Sequence, residues 1–154
     1  MKILGIETSC DETAAAVVED GQRLLSNVVS SSMALHAVFG GVVPEIAARS
    51  HIEVINEVVQ TALNDARCDW RNIDAIAVTY GPGLSGSLLI GIMTARSLAI
   101  TKNIPLYAAD HVMGHVYVNF LTSSNHYRRR LILPSCELSL RNNGLASSVL
   151  KTSC

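Results

Sequence analysis

The stretch KILGIETSCDETAAAVV, residues 2–18, decides how the chain folds. A buried strand is predicted for its first six residues, which end at Glu7. The polar residues after Glu7 predict a turn, and the apolar run ending at Val18 predicts a second strand. The pair Asp20-Gly21 is typical of a two-residue type I′ hairpin, so residues 22–32 are expected to return as a third strand. The chain is therefore expected to open as an antiparallel meander.

Strands and helices alternate downstream of the meander. Apolar residues recur at helical spacing from Glu45 to Ala66, with Ile52 expected on the buried face and His51 expected at the surface or at a cap. Three further elements are predicted: a strand over residues 73–80, a helix over residues 84–101 and a strand over residues 104–109. This order is typical of an α/β protein with parallel strands.

The predicted helix over residues 84–101 carries a stripe of small residues at every fourth position: Ser87, Gly91, Ala95 and Ala99. Such a stripe lets another segment of backbone pack closely against the helix. The glycine-rich turn ahead of the helix, Gly81-Pro82-Gly83, leads into a helix N-terminus whose N–H groups can attract an anion. Because no lysine stands at the helix start, a P-loop is excluded.

The stretch DHVMGH, residues 110–115, places two histidines four residues apart after the last predicted strand. On a helix both rings would project from one face and could take two positions around one divalent transition metal. A complete site of this kind normally needs a third protein ligand. The carboxyl end of a strand in an open α/β sheet is also where ligands usually bind.

Composition and hydropathy argue against a membrane protein and against a cysteine framework. With 49% hydrophobic residues and no apolar run long enough to span a bilayer, the chain is expected to be a cytoplasmic protein without a membrane partner. The four cysteines form no Cys-x-x-Cys pair and are interpreted as isolated thiols.

The charge changes sign along the chain. Residues 1–121 hold seven Lys/Arg against twelve Asp/Glu, a net charge of −5, whereas residues 122–154 hold five against one, a net charge of +4. The basic end is interpreted as foreign to the body of the chain.

Four motifs occur in the order and spacing of one protein family: GIETSCDET (residues 5–13), HAVFGGVVPEIA (residues 36–47), TYGPGL (residues 79–84) and the histidine pair. With them the chain resembles the tRNA N6-adenosine threonylcarbamoyltransferases, formerly described as O-sialoglycoprotein endopeptidases or glycoproteases. The histidine pair distinguishes it from the metal-free paralogue of that family. The resemblance implies an α/β half-domain of the actin-like ATPase (ribonuclease-H-like) fold, whose mixed sheet joins the antiparallel meander to parallel strands with helices.

The resemblance also implies a function and a site. The family transfers a threonylcarbamoyl group from threonylcarbamoyl-adenylate to N6 of the adenosine adjacent to the anticodon in tRNA. His111 and His115 would bind one divalent metal, iron or zinc, and ATP or the adenylate is a further expected ligand. Four residues are expected on the phosphate side of that ligand: Thr8, Ser9, Asp11 and Gly83. A paralogous protein subunit is the expected partner.

The resemblance ends near Leu121. Residues 1–121 are therefore expected to form the N-terminal actin-like ATPase-type domain, and residues 122–154 an atypical tail that is frameshifted or prematurely ended and poorly ordered. In the family a Ser-Gly-Gly-His loop and a second half follow, and that half supplies an aspartate as the third metal ligand. Because neither is recognisable after Leu121, no catalytic residue is assigned and this chain is expected to be inactive alone.

Two other functions remain open. The chain could be a non-catalytic interaction module that binds a paralogous subunit through its helices, which co-purification with that subunit but without iron or zinc would favour. A metallo-endopeptidase is the third possibility, because His-x-x-x-His also occurs in zinc peptidases. Val112, however, stands where those enzymes carry the glutamate that acts as general base.

Overall fold

The computed structural model describes residues 1–121, which form a sheet flanked by helices. The strands are β1 (Lys2–Glu7), β2 (Glu12–Glu19), β3 (Arg23–Ser31), β4 (Ala75–Gly81) and β5 (Leu106–Asp110), and the helices are α1 (Met33–His36), α2 (Pro44–Asp65), α3 (Ser85–Lys102) and α4 (His111–Leu121). The bounds of the predicted first strand equal those of β1, and those of the other predicted elements differ from the structure by one or two residues. The tail predicted at residues 122–154 lies outside the described residues.

The strand order in this part of the chain is β3-β2-β1-β4-β5. Strands β1, β2 and β3 pair antiparallel, as the meander predicts, while β4 and β5 continue the sheet parallel to β1. Leu4 in the central strand faces Val17 of β2 on one side and Ile76 of β4 on the other. The predicted mixed sheet is therefore confirmed, and the carboxyl ends of β1, β4 and β5 share one edge.

The hairpin between β2 and β3 turns at Asp20 and Gly21, as predicted. Their φ angles are 52° and 68°, and the Gln22 N–H donates to the carbonyl of Glu19 over 3.2 Å. Positive φ at both central residues is what a type I′ turn requires, and this turn matches the twist of the strands that it joins.

Helices α2 and α3 pack against each other and against the sheet. The buried apolar side chains between them include Leu4, Ile6, Val17, Ile55, Val59, Leu63, Ile76, Val78 and Ala95. The predicted buried face of α2 is wrong at one turn, because Ile52 is 57% exposed and its neighbour His51 is only 1% exposed. His51 is buried because two polar groups beneath α2 hydrogen-bond to its ring, as described below.

The small residues of α3 allow the predicted close approach. Ser87, Gly91, Ala95 and Ala99 are all buried, and the group that approaches Gly91 is the side chain of Thr8, the residue after β1. A Cβ atom on Gly91 would lie 2.3 Å from Thr8 Oγ1, far inside van der Waals contact. The Thr8 hydroxyl has little freedom to retreat, since it donates to the Ser87 carbonyl over 2.8 Å. Gly91 is therefore required by the position of Thr8.

No helix among residues 1–121 is long and apolar enough to cross a membrane.

We predict that Gly91→Ala lowers the free energy of unfolding by about 1–3 kcal/mol, the usual cost of overpacking a core, despite the better helix propensity of alanine. Urea denaturation followed by circular dichroism measures the change. Gly114→Ala is the matched control, since no atom lies within 4 Å of a Cβ added there in α4. Gly91→Ala with a stability equal to or above that of the parent chain would contradict the assigned contact.

Candidate functional site

Polar side chains gather where the three parallel strands end. Glu7 closes β1, Thr79 lies near the end of β4, and His111 follows β5 directly. The Thr79 hydroxyl donates to Glu7 Oε2, and His111 Nδ1 lies 3.4 Å from the same oxygen. This edge is the usual ligand-binding edge of an open sheet with parallel strands.

The histidine pair lies on a helix, which is the condition for both rings to project from one face. Asp110 caps α4, because its Oδ1 accepts a hydrogen bond from the Met113 N–H over 2.9 Å, and the helix therefore begins at His111. The rings of His111 and His115 meet edge to face, with centroids 4.4 Å apart and planes at 89°. Their Nε2 atoms are 2.9 Å apart.

This separation fits two nitrogens bound to one ion. Imidazole nitrogens bind zinc at about 2.0–2.1 Å, so two of them at an angle between 90° and the tetrahedral value lie about 2.8–3.4 Å apart. The donor set, two imidazoles, suits zinc or iron. Residues 1–121 contain no group of three or more His, Cys, Asp or Glu side chains arranged to hold a metal ion. Among the described residues, the pair thus offers two nitrogens to such a site and no third ligand joins them.

The loop after β1 approaches His111 through Ser9. The Ser9 N–H donates to Glu7 Oε1 over 2.5 Å, its carbonyl accepts from the Leu84 N–H over 2.7 Å, and its hydroxyl oxygen is 3.1 Å from His111 Nδ1. Gly83 packs directly on this residue, where a Cβ would lie 2.6 Å from the Ser9 carbonyl oxygen. Ser9 and Gly83, two residues predicted on the phosphate side, therefore lie beside the histidine pair.

Thr8 and Asp11, the other two residues predicted on the phosphate side, are buried. Thr8 donates its hydroxyl hydrogen to α3, as described above. The Asp11 carbonyl accepts from both the N–H and the hydroxyl of Ser32, at 3.0 and 2.7 Å. These contacts attach the two ends of the loop to α3 and to the end of the meander.

His51 holds the same loop from α2 and was not predicted to do so. Its Nδ1 is 2.7 Å from Thr13 Oγ1, and its Nε2 is 3.1 Å from the Cys10 carbonyl oxygen. Since a carbonyl can only accept, Nε2 carries the proton and Nδ1 accepts from the threonine hydroxyl. The prediction of a surface or cap position is wrong, because these two buried polar groups require a partner.

Glu7 and Thr79 are residues of the candidate site that the sequence did not single out. Glu7 stands at the end of an apolar strand, and its charge at the boundary with a polar turn is a weak signal. Its partner Thr79 is 72 residues away, so the pairing became visible only in the folded chain.

The environment favours a charged Glu7 and neutral rings at His115 and His51. Burial acts to raise the pKa of Glu7, but hydrogen bonds from Ser9 and Thr79 and the charge of His111 together lower that pKa below its ordinary value. Burial, followed by repulsion from His111, lowers the pKa of His115. Burial also lowers the pKa of His51, against the opposite effects of the Cys10 carbonyl and the charges of Glu7 and Asp11. Neutral imidazole is the form that binds metal.

We predict that the folded chain loses stability as the pH falls below about 6.5, the ordinary pKa of histidine. Because the pKa of His51 is lowered in the folded state, the unfolded chain binds more protons below that pH, and the loss is at most about 1.4 kcal/mol per pH unit for each such histidine. Urea denaturation between pH 7.5 and 5.5 measures the slope, and His51→Gln, which has no titratable group, should reduce it.

His126→Gln is the control for this slope, because it removes a histidine outside the described residues. An unchanged slope in a folded His51→Gln variant would contradict a buried, neutral His51. His115 contributes with the same sign, so some slope should remain in that variant.

Comparison with known proteins identifies relatives of the chain. The family model for tRNA N6-adenosine threonylcarbamoyltransferase matches residues 23–133. The chain is 56% identical over 122 residues to the enzyme of that name from Caldicellulosiruptor saccharolyticus, covering 79% of this chain and 36% of the relative. It is 48% identical over 127 residues to the enzyme of that name from Lactobacillus acidophilus, covering 82% of this chain and 36% of the relative. The chain thus spans little more than a third of the length of these relatives.

Solved structures share the fold at low sequence identity. YeaZ from Pseudomonas aeruginosa is 22% identical with a TM-score of 0.52, and the match covers 71% of this chain and 45% of YeaZ. RuvC from T. thermophilus is 16% identical with a TM-score of 0.53, and the match covers 99% of this chain and 89% of RuvC. These likenesses concern the fold alone, and they confirm the predicted ribonuclease-H-like (actin-like) half-domain.

Proposed function

Because the chain belongs to the tRNA N6-adenosine threonylcarbamoyltransferase family, we propose that its histidine pair is one half of a metal site that serves threonylcarbamoyl transfer. The group would pass from threonylcarbamoyl-adenylate to N6 of the adenosine adjacent to the anticodon in tRNA, in the cytoplasm. The observation that supports this proposal is the 2.9 Å separation of the His111 and His115 Nε2 atoms at the carboxyl ends of the parallel strands.

The residues around the pair have separate parts in this proposal. His111 and His115 would hold iron or zinc through Nε2. Such an ion, when bound, supplies Lewis acidity that polarises an oxygen of the acyl donor. Ser9 and Gly83 keep the loop after β1 in contact with the start of α3, whose first-turn N–H groups would attract the phosphate of the adenylate or ATP. Thr8 and Asp11 complete that phosphate side by fixing the two ends of the loop.

A metal site with only two ligands explains why we expect this chain to need a further protein segment for activity. Catalytic zinc sites use three protein ligands, and residues 1–121 bring two together. The chain also covers 36% of the length of its relatives. A weakly held metal follows from the presence of two ligands.

We predict one zinc site per chain, weaker than a structural zinc site, that disappears in the double variant His111→Ala/His115→Ala. Two nitrogens can hold the ion, but two ligands hold it less tightly than the three or four of a complete site. Calorimetric titration of the purified chain with zinc chloride measures the stoichiometry and the affinity.

His126→Ala is the matched control for the titration and should bind zinc as the parent chain does. Zinc binding that survives in the double variant, or no binding by the parent chain, would contradict the proposed site. Co-purification with a paralogous subunit in the absence of metal would then favour the interaction module.

We also predict little or no transferase activity for this chain alone, because residues 1–121 bring only two metal ligands together and a catalytic zinc site uses three. The assay supplies tRNA, threonylcarbamoyl-adenylate and zinc and measures the modified adenosine by mass spectrometry. An intact relative, assayed in parallel, serves as the positive control. Turnover by this chain near that of the relative would refute the prediction.

The interaction module remains the second candidate because α3 carries an exposed apolar stripe. Leu89, Met93 and Ile100 are 55%, 51% and 76% exposed, and their spacing places them on the helix face opposite the small residues. A paralogous subunit with a complementary apolar helix could cover this stripe.

A further inference from the structure

We propose that Glu7 is a positioning residue for His111: its carboxylate fixes the ring so that Nδ1 carries the proton and the Nε2 lone pair faces His115. The inference deepens the proposed function, since it concerns how the chain prepares one of the two ligands for a metal. Glu7 is not itself placed as the third ligand, because it lies against Nδ1, on the other side of the ring from the Nε2 pair.

The Glu7 carboxylate is held in place by the loop after its own strand and by strand β4. Oε1 accepts the Ser9 N–H of that loop over 2.5 Å, and Oε2 accepts the hydroxyl of Thr79 from β4. The side chain is 31% exposed, and each of its oxygens has a hydrogen-bond donor. A carboxylate fixed in this way presents a hydrogen-bond acceptor in a defined position.

A carboxylate oxygen and a hydroxyl oxygen face the Nδ1 atom of His111. Glu7 Oε2 is 3.4 Å away, and the Ser9 hydroxyl oxygen is 3.1 Å away. The Ser9 hydroxyl can donate or accept, but an ionised carboxylate can only accept, so a lone pair on Nδ1 would face the negative charge of Glu7, whereas an N–H would face an acceptor. The proton is therefore assigned to Nδ1, which leaves Nε2 as an acceptor.

The Nε2 side is consistent with this tautomer. His115 Nε2 lies 2.9 Å from His111 Nε2, a distance at which one nitrogen donates and the other accepts. In the metal-free chain, with the proton of His111 on Nδ1, His115 Nε2–H is the donor and His111 Nε2 the acceptor. That proton must leave His115 Nε2 before the Nε2 atoms of both rings can bind one ion. The His111 Nε2 lone pair is the one that a metal would take, and a carboxylate behind a ligating histidine is a common means of orienting it.

The experiment compares Glu7→Gln with the parent chain by two measurements. The first is ¹⁵N NMR of the histidine rings in the metal-free chain, which reports the tautomer of His111. The second is calorimetric zinc titration. Glutamine keeps the shape of Glu7 but replaces one accepting oxygen with an NH₂ donor, so it cannot satisfy the Ser9 N–H, the Thr79 hydroxyl and His111 Nδ1 together.

We expect Glu7→Gln to reduce the share of the Nδ1–H tautomer and to weaken zinc binding about 10- to 100-fold, the usual effect of losing such a partner. Glu19→Gln is the matched control, since it removes a carboxylate of the same sheet that pairs with Lys2 and Arg23, and it should leave both measurements unchanged. A folded Glu7→Gln variant with the parent tautomer and the parent zinc affinity would overturn the proposal.

Two further comparisons cover the cases in which Glu7→Gln does not fold or the parent chain binds no zinc. If Glu7→Gln does not fold, Thr79→Val removes one anchor of the carboxylate at nearly constant volume and should give a smaller change in the same direction; no change in either measurement would overturn the proposal. If the parent chain binds no zinc, the proposed metal site fails, and the tautomer of His111 in the metal-free variants alone decides the role of Glu7.

Discussion

The contact between Thr8 and helix α3 is the constraint on which the candidate site depends. The Thr8 hydroxyl donates to the Ser87 carbonyl, and the absence of a side chain at Gly91 makes room for it. This contact ties the carboxyl end of β1 to a helix that begins just after the carboxyl end of β4. One helix thus holds the ends of two neighbouring strands. The position of this helix fixes the positions of Glu7 and Ser9.

The carboxyl end of β5 positions the two histidines. Strand β5 pairs with β4 and leads directly into α4, whose cap, Asp110, is the last residue of the strand. His111 therefore occupies the first position of its helix, opposite Glu7 and Ser9, and the spacing of four residues places His115 over it. A small displacement of β1 relative to α3 would change the surroundings of Nδ1 without touching the Nε2 pair.

Features with a local cause could be predicted from the sequence. The turn at Asp20-Gly21 follows from the backbone angles that this pair tolerates, and the four-residue spacing of the histidines indicated that both rings would share one face if the segment were helical. The small stripe of α3 predicted a close approach, although it did not say that Thr8 would be the residue that approaches. The family resemblance supplied the fold class and drew attention to Ser9 and Gly83.

Features that depend on distant partners could not be predicted. Glu7 and Thr79 are 72 residues apart, and Ser9 and His111 are 102 apart, so no local pattern connects them. The burial of His51 also depends on distant partners. Its polarity indicated exposure, whereas the buried Cys10 carbonyl and the Thr13 hydroxyl required a partner on α2. A buried histidine with two partners is recognisable only when both partners have been located.

The central claim is that the fold makes the two Nε2 atoms converge on one ion, and zinc K-edge X-ray absorption of the zinc-loaded chain tests it most directly. Multiple scattering from imidazole rings counts the histidines bound to each zinc. The account predicts two imidazoles per zinc, both lost in the variant His111→Ala/His115→Ala. One imidazole or none in the parent chain would contradict it, because the convergence at 2.9 Å would then be a contact between two rings rather than a metal site.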